Sequence, residues 1–230
     1  MMNKGITQNR CLIMFVKYPE KGQVKSRLAR DFDKKFIADL YGNFVDDLLD
    51  NLNSGNYKLK IAFYPPEKNE EIRQRFGEQN EYVPQIGADL GERMKNSFYQ
   101  CFSEGFKSSI VIGSDCPDLT ADVIETAFRA LTEQNDAVIG PSCDGGYYLV
   151  GFNDKSFCSG IFRVPSWGSR SVYTDTMNIL NTCKYRTYLT PLWRDIDTRD
   201  DLLDLIERHR KTPFSRSRTM AFIYSHLNNR

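Results

Sequence analysis

Asp115 and, far from it in the chain, Asp195 and Asp197 each follow an apolar segment. Carboxylate oxygens are hard ligands, and brought together they suit Mg2+ or Mn2+ beside the phosphates of a nucleotide. Asp115 has the clearest setting, in Ile110-Val-Ile-Gly-Ser-Asp115-Cys-Pro-Asp118-Leu119. The β-branched run reads as a buried strand, which Gly113 and Ser114 end. In open α/β sheets, ligands lie outside the carboxyl ends of the strands. Structural roles compete at each position. Asp115 also suits a turn, Asp118 reads as structural at the start of the next helix, and Asp197 or Thr198 suits a helix cap.

Cations form a second group. Lys17 closes the first apolar run, Lys25 and Arg27 follow in a loop with Gly22, and Arg93 sits in the turn Gly91-Glu-Arg-Met94. Cations and backbone N–H groups near a helix start suit a diphosphate; the competing reading is solvated surface charge. The loop lacks the glycine and spacing of a Walker A motif, and there is no Gly-x-Gly-x-x-Gly. A third group is Asp144-Gly145-Gly146-Tyr147-Tyr148. Two glycines would let a substrate lie against the backbone, with Asp144 binding the acceptor or serving as general base; the alternative is a tight turn alone. His209 and His226 lack metal spacing and read as surface residues. No hydrolase signature occurs.

The elements that must position these groups follow from periodicity. Cys11–Lys17 is a continuous apolar strand, Asp33–Leu52 an amphipathic helix and Tyr57–Tyr64 a strand stopped by Pro65-Pro66. A helix over Glu67–Phe76, a strand over Tyr82–Ile86 and a helix from about Leu90 to Glu104 come next. They are followed by the strand at Ile110, a helix over Thr120–Thr132 and a strand over Asp136–Gly140. This alternation predicts a three-layer α/β/α fold with a mostly parallel sheet. Beyond it lie a strand over Tyr147–Phe152, irregular chain over Ser159–Arg170, a helix over Ser171–Leu180, a strand over Tyr185–Leu189 and a helix over Arg199–Arg210. No linker or repeat appears. The expectation is one domain over 1–230, with a nucleotide-binding half (10–140), an acceptor-side half (141–210) and a tail (211–230) that packs as a last helix or mediates a homo-oligomer contact.

Composition narrows the function classes. The 230 residues carry a net charge of +1, so no global field attracts nucleic acid or a membrane. No apolar run approaches the ~18 residues of a membrane span, and polar Met1–Arg10 lacks the apolar region of a signal peptide. Six cysteines without a Cys-x-x-Cys pair suit reduced thiols in a cytoplasmic protein. A ligand or redox role for Cys116 or Cys143 is the lesser alternative.

Six motifs in order carry a resemblance: Phe15-Val-Lys-Tyr-Pro-Glu-Lys-Gly-Gln-Val-Lys25-Ser-Arg27-Leu; Gln85-Ile-Gly87 leading to Leu90-Gly-Glu-Arg-Met94; Gly113-Ser-Asp-Cys-Pro-Asp-Leu119; Gly140-Pro-Ser-Cys-Asp-Gly-Gly-Tyr-Tyr-Leu-Val-Gly151; Trp167-Gly-Ser169; and Asp195-Ile-Asp-Thr198. Over about Leu12 to Leu202 the chain resembles the bacterial glycosyltransferase-like family called selenodomain-associated transferase 1. That family is similar to 2-phospho-lactate guanylyltransferases and molybdenum-cofactor nucleotidyltransferases. Ser26 stands where the family more often has Thr. The resemblance implies a GT-A type nucleotide-diphospho-sugar transferase fold, with a nucleotide at the first-strand loop contacted by Lys25 and Arg27. It implies a metal at Asp115 with Asp195 or Asp197 as second carboxylate. It also implies an acceptor side at Asp144, Gly145, Gly146 and Tyr147, completed by Trp167 and Ser169. Three functions stay open: glycosyl transfer from a nucleotide sugar, nucleotidyl transfer from a triphosphate to a small phosphorylated or carboxylated acceptor, and nucleotide binding without catalysis.

Overall fold

The computed structural model describes residues 9–164 and 167–227; most of the polar N-terminal stretch and the end of the tail lie outside them. In chain order the main elements are β1 (Arg10–Lys17), α1 (Lys34–Leu52), β2 (Lys58–Tyr64), α2 (Asn69–Phe76), β3 (Glu81–Pro84), α3 (Leu90–Ser103), β4 (Ser108–Ile112) and α4 (Ala121–Glu133). They continue with β5 (Ala137–Pro141), β6 (Tyr147–Asn153), α5 (Val172–Thr182), β7 (Thr187–Leu189), α6 (Arg199–His209) and α7 (Arg218–Leu227). The short helical turn Pro66–Lys68 leads into α2 at the start of the helix read from Glu67, whereas the turn Ser159–Arg163 falls in the stretch read as irregular.

The seven strands form one sheet in the order β3-β2-β1-β4-β6-β5-β7. All pairings are parallel except those of β6, which runs antiparallel to β4 and β5. Cys11 to Val16 are six consecutive buried residues, because helices cover both faces and no side of the strand meets water. On one face Leu12, Met14 and Val16 pack with α1, α2, α4, α6 and α7. On the other, Cys11, Ile13 and Phe15 pack with Met94 and Phe98 of α3 and Leu180 of α5. This is the three-layer α/β/α architecture. Among the described residues no helix is long and apolar enough to cross a membrane.

Topology determines where a site can form. From β1 the chain builds outward through β2 to β3, then returns to place β4 on β1's other side. The crevice between the carboxyl ends of β1 and β4 is therefore a topological switch point. Met14 pairs with Ile112, so the loops after both strands open at that crevice. Antiparallel β6 brings the 142–146 turn to the same edge, where Pro141 pairs with Tyr147. Parallel β7 ends there too, so the 190–198 segment runs along it.

The tail is anchored from within. Asp47 of α1 is buried and its carboxylate accepts the backbone N–H groups of Arg218 and Thr219, both at 2.9 Å. It thus caps the start of α7 from a distant helix. Asp47→Ala is expected to cost about 1–2 kcal/mol, as for other N-cap losses, lowering Tm by roughly 2–8 °C. Faster amide exchange confined to α7 would check it; an unchanged Tm would rule the cap out.

Candidate active site

The acidic segment owes its geometry to alternation. Ile196 is buried and its N–H donates to the Asp115 carbonyl at 3.0 Å. In extended chain, neighbours of a buried residue turn to the opposite side, so Asp195 and Asp197 face the crevice together. The segment is also laced to the end of β5. Trp193 N–H donates to the Pro141 carbonyl and Cys143 N–H to the Trp193 carbonyl, both at 3.1 Å. Ser142 Oγ donates to Asp195 Oδ1 at 2.5 Å. Gly145 lies at φ +93°, and a Cβ there would meet the Arg170 carbonyl oxygen at 2.3 Å, so this turn requires glycine. Asp144 closes it by accepting Gly146 N–H on Oδ1 at 2.8 Å.

The carboxylates that converge are Asp144, Asp195 and Asp197, each offering an oxygen within 4.8 Å of the other two. Burial raises the Asp195 pKa above its ordinary value, and Asp144 and Asp197 raise it further against the opposing Ser142 hydrogen bond. A hard divalent cation would relieve that repulsion, and an all-oxygen donor set fits Mg2+ or Mn2+. Asp115 lies alongside, in an ion pair with Lys25 at 2.6 Å.

Lys25 is placed differently from an open phosphate contact. Its backbone is in the left-handed region at φ 49°, and its ammonium turns inward between Asp115 and Asp197 Oδ1, at 2.6 and 2.9 Å. Only 4% of the side chain is exposed. Burial opposes the charge, yet the two carboxylates outweigh it and hold the Lys25 pKa above lysine's ordinary value. Arg27 is exposed, 3.6 Å from Asp197 Oδ2. Lys17 Nζ donates to the Gln23 carbonyl at 2.5 Å. Arg93 donates from Nε to the Gly87 carbonyl at 3.1 Å and lies 3.7 Å over the Tyr64 ring.

Two cavities meet at this edge. One, of about 460 Å³, is lined by Lys17, Lys25 and Arg93 with Gln23, Gln85, Ser26 and Ser114. The other, of about 310 Å³, is lined by Asp144, Gly146, Tyr147, Trp167, Ser169 and Asp195, with apolar walls from Met94, Val111, Val150 and Val172. Asp115, Asp197, Phe15, Leu90 and Gly113 line both. Gly145 shapes the turn at the second cavity, where Trp167 meets Tyr147 edge to face at 6.4 Å and Ser169 Oγ lies 3.0 Å from Ser171 Oγ.

Several neighbours escape sequence reasoning. Ser142 carried a signal, two residues before Asp144 in the same turn cluster. Gln85 opens the second motif of the resemblance without a role assigned to it, and Tyr41 carried no signal. Tyr41 Oη lies 2.6 Å from Ser114 Oγ and accepts Lys17 N–H at 3.0 Å; burial, then Asp115, pushes its pKa up to about 12. Cys116 also lines the acidic cavity, but burial and then Asp115, Asp118 and Asp195 raise its pKa well above a thiol's ordinary value. That disfavours the thiolate which nucleophilic or ligand chemistry needs. Cys143 is exposed and free. The surface reading of His209 is corrected. Its Nε2 is 2.7 Å from Asp118 Oδ2 and its Nδ1 2.8 Å from Thr212 Oγ1, because the buried Asp118 carboxylate draws it inward.

A family model described as an uncharacterized protein conserved in bacteria, DUF2064, matches residues 48–169. A crystal structure from Desulfovibrio desulfuricans G20, assigned provisionally as a nucleotide-diphospho-sugar transferase, is 35% identical and superposes with a TM-score of 0.92 over 96% of each chain. More distant structures share the fold. A CMP:2-keto-3-deoxy-manno-octonic acid synthetase complexed with CTP is 9% identical, with a TM-score of 0.53 over 89% of this chain and 99% of its own. A Mycobacterium tuberculosis H37Rv protein in complex with manganese is 12% identical, with a TM-score of 0.52 over 87% and 98%. No curated protein matches the sequence.

Proposed function

The chain belongs to the bacterial DUF2064 family, and on that premise we propose that it is a metal-dependent transferase moving a glycosyl group from a nucleotide-diphospho-sugar to a small-molecule acceptor. This is the selenodomain-associated transferase type of enzyme, working in the cytoplasm. The observation that carries the reading is segregation of charge. Lys17, Lys25 and Arg93 line one cavity, carboxylates mark the boundary, and no Lys, Arg or His among the described residues lines the other. A cationic pocket suits a diphosphate, and a carboxylate boundary suits a metal beside it. The similar Desulfovibrio structure and the manganese-bound relative support the donor and metal classes.

In this reading residues 10–140 form the nucleotide half. Lys17 and Arg93 meet the diphosphate, Arg27 guards its outer rim, and Lys25 fixes Asp115 and Asp197. Asp195 and Asp197 would hold Mg2+ or Mn2+, with Asp115 alongside. When bound, the ion neutralises charge that develops on the departing diphosphate. Residues 141–210 form the acceptor half, where Gly145 and Gly146 bring the backbone close to the substrate and Tyr147, Trp167 and Ser169 form the wall. Asp144 keeps Oδ1 on Gly146 N–H, leaving Oδ2 to take the acceptor proton.

A second reading, nucleotidyl transfer with pyrophosphate release, draws support from the CTP-bound fold relative. A thermal-shift series of nucleoside di- and triphosphates and nucleotide sugars, with and without Mn2+, separates the two. A ligand at about 100 Kd adds roughly 2.7 kcal/mol, and a nucleotide sugar with Mn2+ is expected to give the largest shift. A triphosphate preference with pyrophosphate released on adding acceptor would favour the second reading. No metal-dependent shift with any nucleotide would sink both.

A further inference from the structure

The cavity of about 310 Å³ holds information about the acceptor. Its body is apolar and aromatic, and its charged groups are aspartates only: Asp115, Asp144, Asp195 and Asp197. No cationic side chain among the described residues lines it. Lys25 is near, but its ammonium is enclosed by Asp115 and Asp197, and Arg93 lines only the neighbouring cavity. Helix starts offer little to an anion. At the start of α5, Val172 and Tyr173 N–H already donate to the Ser169 and Gly145 carbonyls. The start of α3 is capped by the Asp89 carboxylate. Two buried polar atoms on side chains of the lining, Tyr147 Oη and Trp167 Nε1, have no hydrogen-bond partner among the described residues.

From this we infer that the acceptor is a hydroxyl or amine compound with an apolar body and an uncharged or cationic head, excluding phosphorylated and carboxylated acceptors. The inference rests on the transferase reading and narrows it. A carboxylate or phosphate in this cavity would find no cationic side chain to pair with, and the four aspartates exceed Lys25 and a bound divalent ion together by one charge; it would also lose hydration in an apolar enclosure. A neutral hydroxyl avoids both costs. A cationic amine gains from the aspartates and from the ring faces of Tyr147 and Trp167. In the transfer, the acceptor oxygen or nitrogen bonds to the sugar's anomeric carbon as that carbon's bond to the diphosphate oxygen breaks. The acceptor proton passes to Asp144, and the nucleoside diphosphate leaves with the bonding pair.

A matched series with one aromatic body tests the head group: benzyl alcohol, benzylamine, benzoate and phenyl phosphate. Each is titrated by ligand-observed NMR into the full chain with saturating Mg2+. Benzyl alcohol and benzylamine are expected to bind, with benzoate and phenyl phosphate weaker by at least about tenfold. Trp167→Ala, which removes an aromatic wall, is expected to weaken the alcohol and the amine, and Ser169→Lys, at the cavity wall, to narrow the gap by improving the anions. Equal or tighter binding of either anion, or no saturable binding by any of the four, overturns the inference. Nucleoside diphosphate binding is measured on the same samples. Its absence counts against the transferase reading itself. Its presence with anions binding as well as the alcohol overturns the acceptor class alone.

Discussion

Lys25→Met is expected to reduce transfer by about a hundredfold or more, in the range seen when one preorganised electrostatic contact is removed from an active site, while Mn2+ binds at least as tightly as in the parent. The ammonium lies 2.6 Å from Asp115 and 2.9 Å from Asp197, so it is both their counter-ion and a competitor of any metal for them. Removing it frees two carboxylates for the metal but leaves Asp197 without the contact that orients it. The fold should survive. Asp115 is 47% exposed and can be hydrated, and methionine in the left-handed backbone costs no more than the lysine already there. Turnover and Mn2+ titration together decide the role. If Lys25 instead contacts the donor's diphosphate directly, the variant raises the nucleotide Kd by as much as turnover falls, and the positioning role is lost.

How much of this was legible depends on the range of the interaction concerned. The six-residue apolar run of β1 and the 3.6-residue pattern of α1 are local signals, and both elements form where the pattern places them. Asp195-Ile-Asp197 is local too, since alternation alone predicts two acids facing one way. The partnership of Asp144 with that pair is not local. It requires β6 to run antiparallel beside β5 and return the 142–146 turn to the carboxyl edge. Strand and helix order does not specify a strand's direction within the sheet. Lys25 illustrates another limit. Its charge and loop position suggest a phosphate, whereas its enclosure depends on Asp197, 172 residues away. The capping of α7 by Asp47 and the capture of His209 by Asp118 are likewise set by packing between distant segments.

Asp118→Ala is expected to destabilise the protein by about 3–5 kcal/mol, the usual result of breaking a buried ion pair by removing one partner. The Asp118 side chain is only 4% exposed. It accepts Trp193 Nε1–H at 2.9 Å and meets His209 Nε2 at 2.7 Å and Arg208 at 3.0 Å. Alanine leaves a mostly buried guanidinium and an indole N–H without that carboxylate, so the loss exceeds one hydrogen bond. At roughly 2–4 °C per kcal/mol for a chain of this size, Tm should fall by roughly 6–20 °C. Asp118→Asn should lose less, because its amide oxygen still accepts from Trp193. The effect should also reach the acids. Trp193 anchors the segment carrying Asp195 and Asp197, so loosening it should weaken Mn2+ binding although Asp118 lies outside their cluster. Calorimetry and Mn2+ titration of the two variants give the measure. A Tm within about 2 °C of the parent for Asp118→Ala, less than one kcal/mol on that scale, would show that the carboxylate does not hold α6 and the acidic segment together.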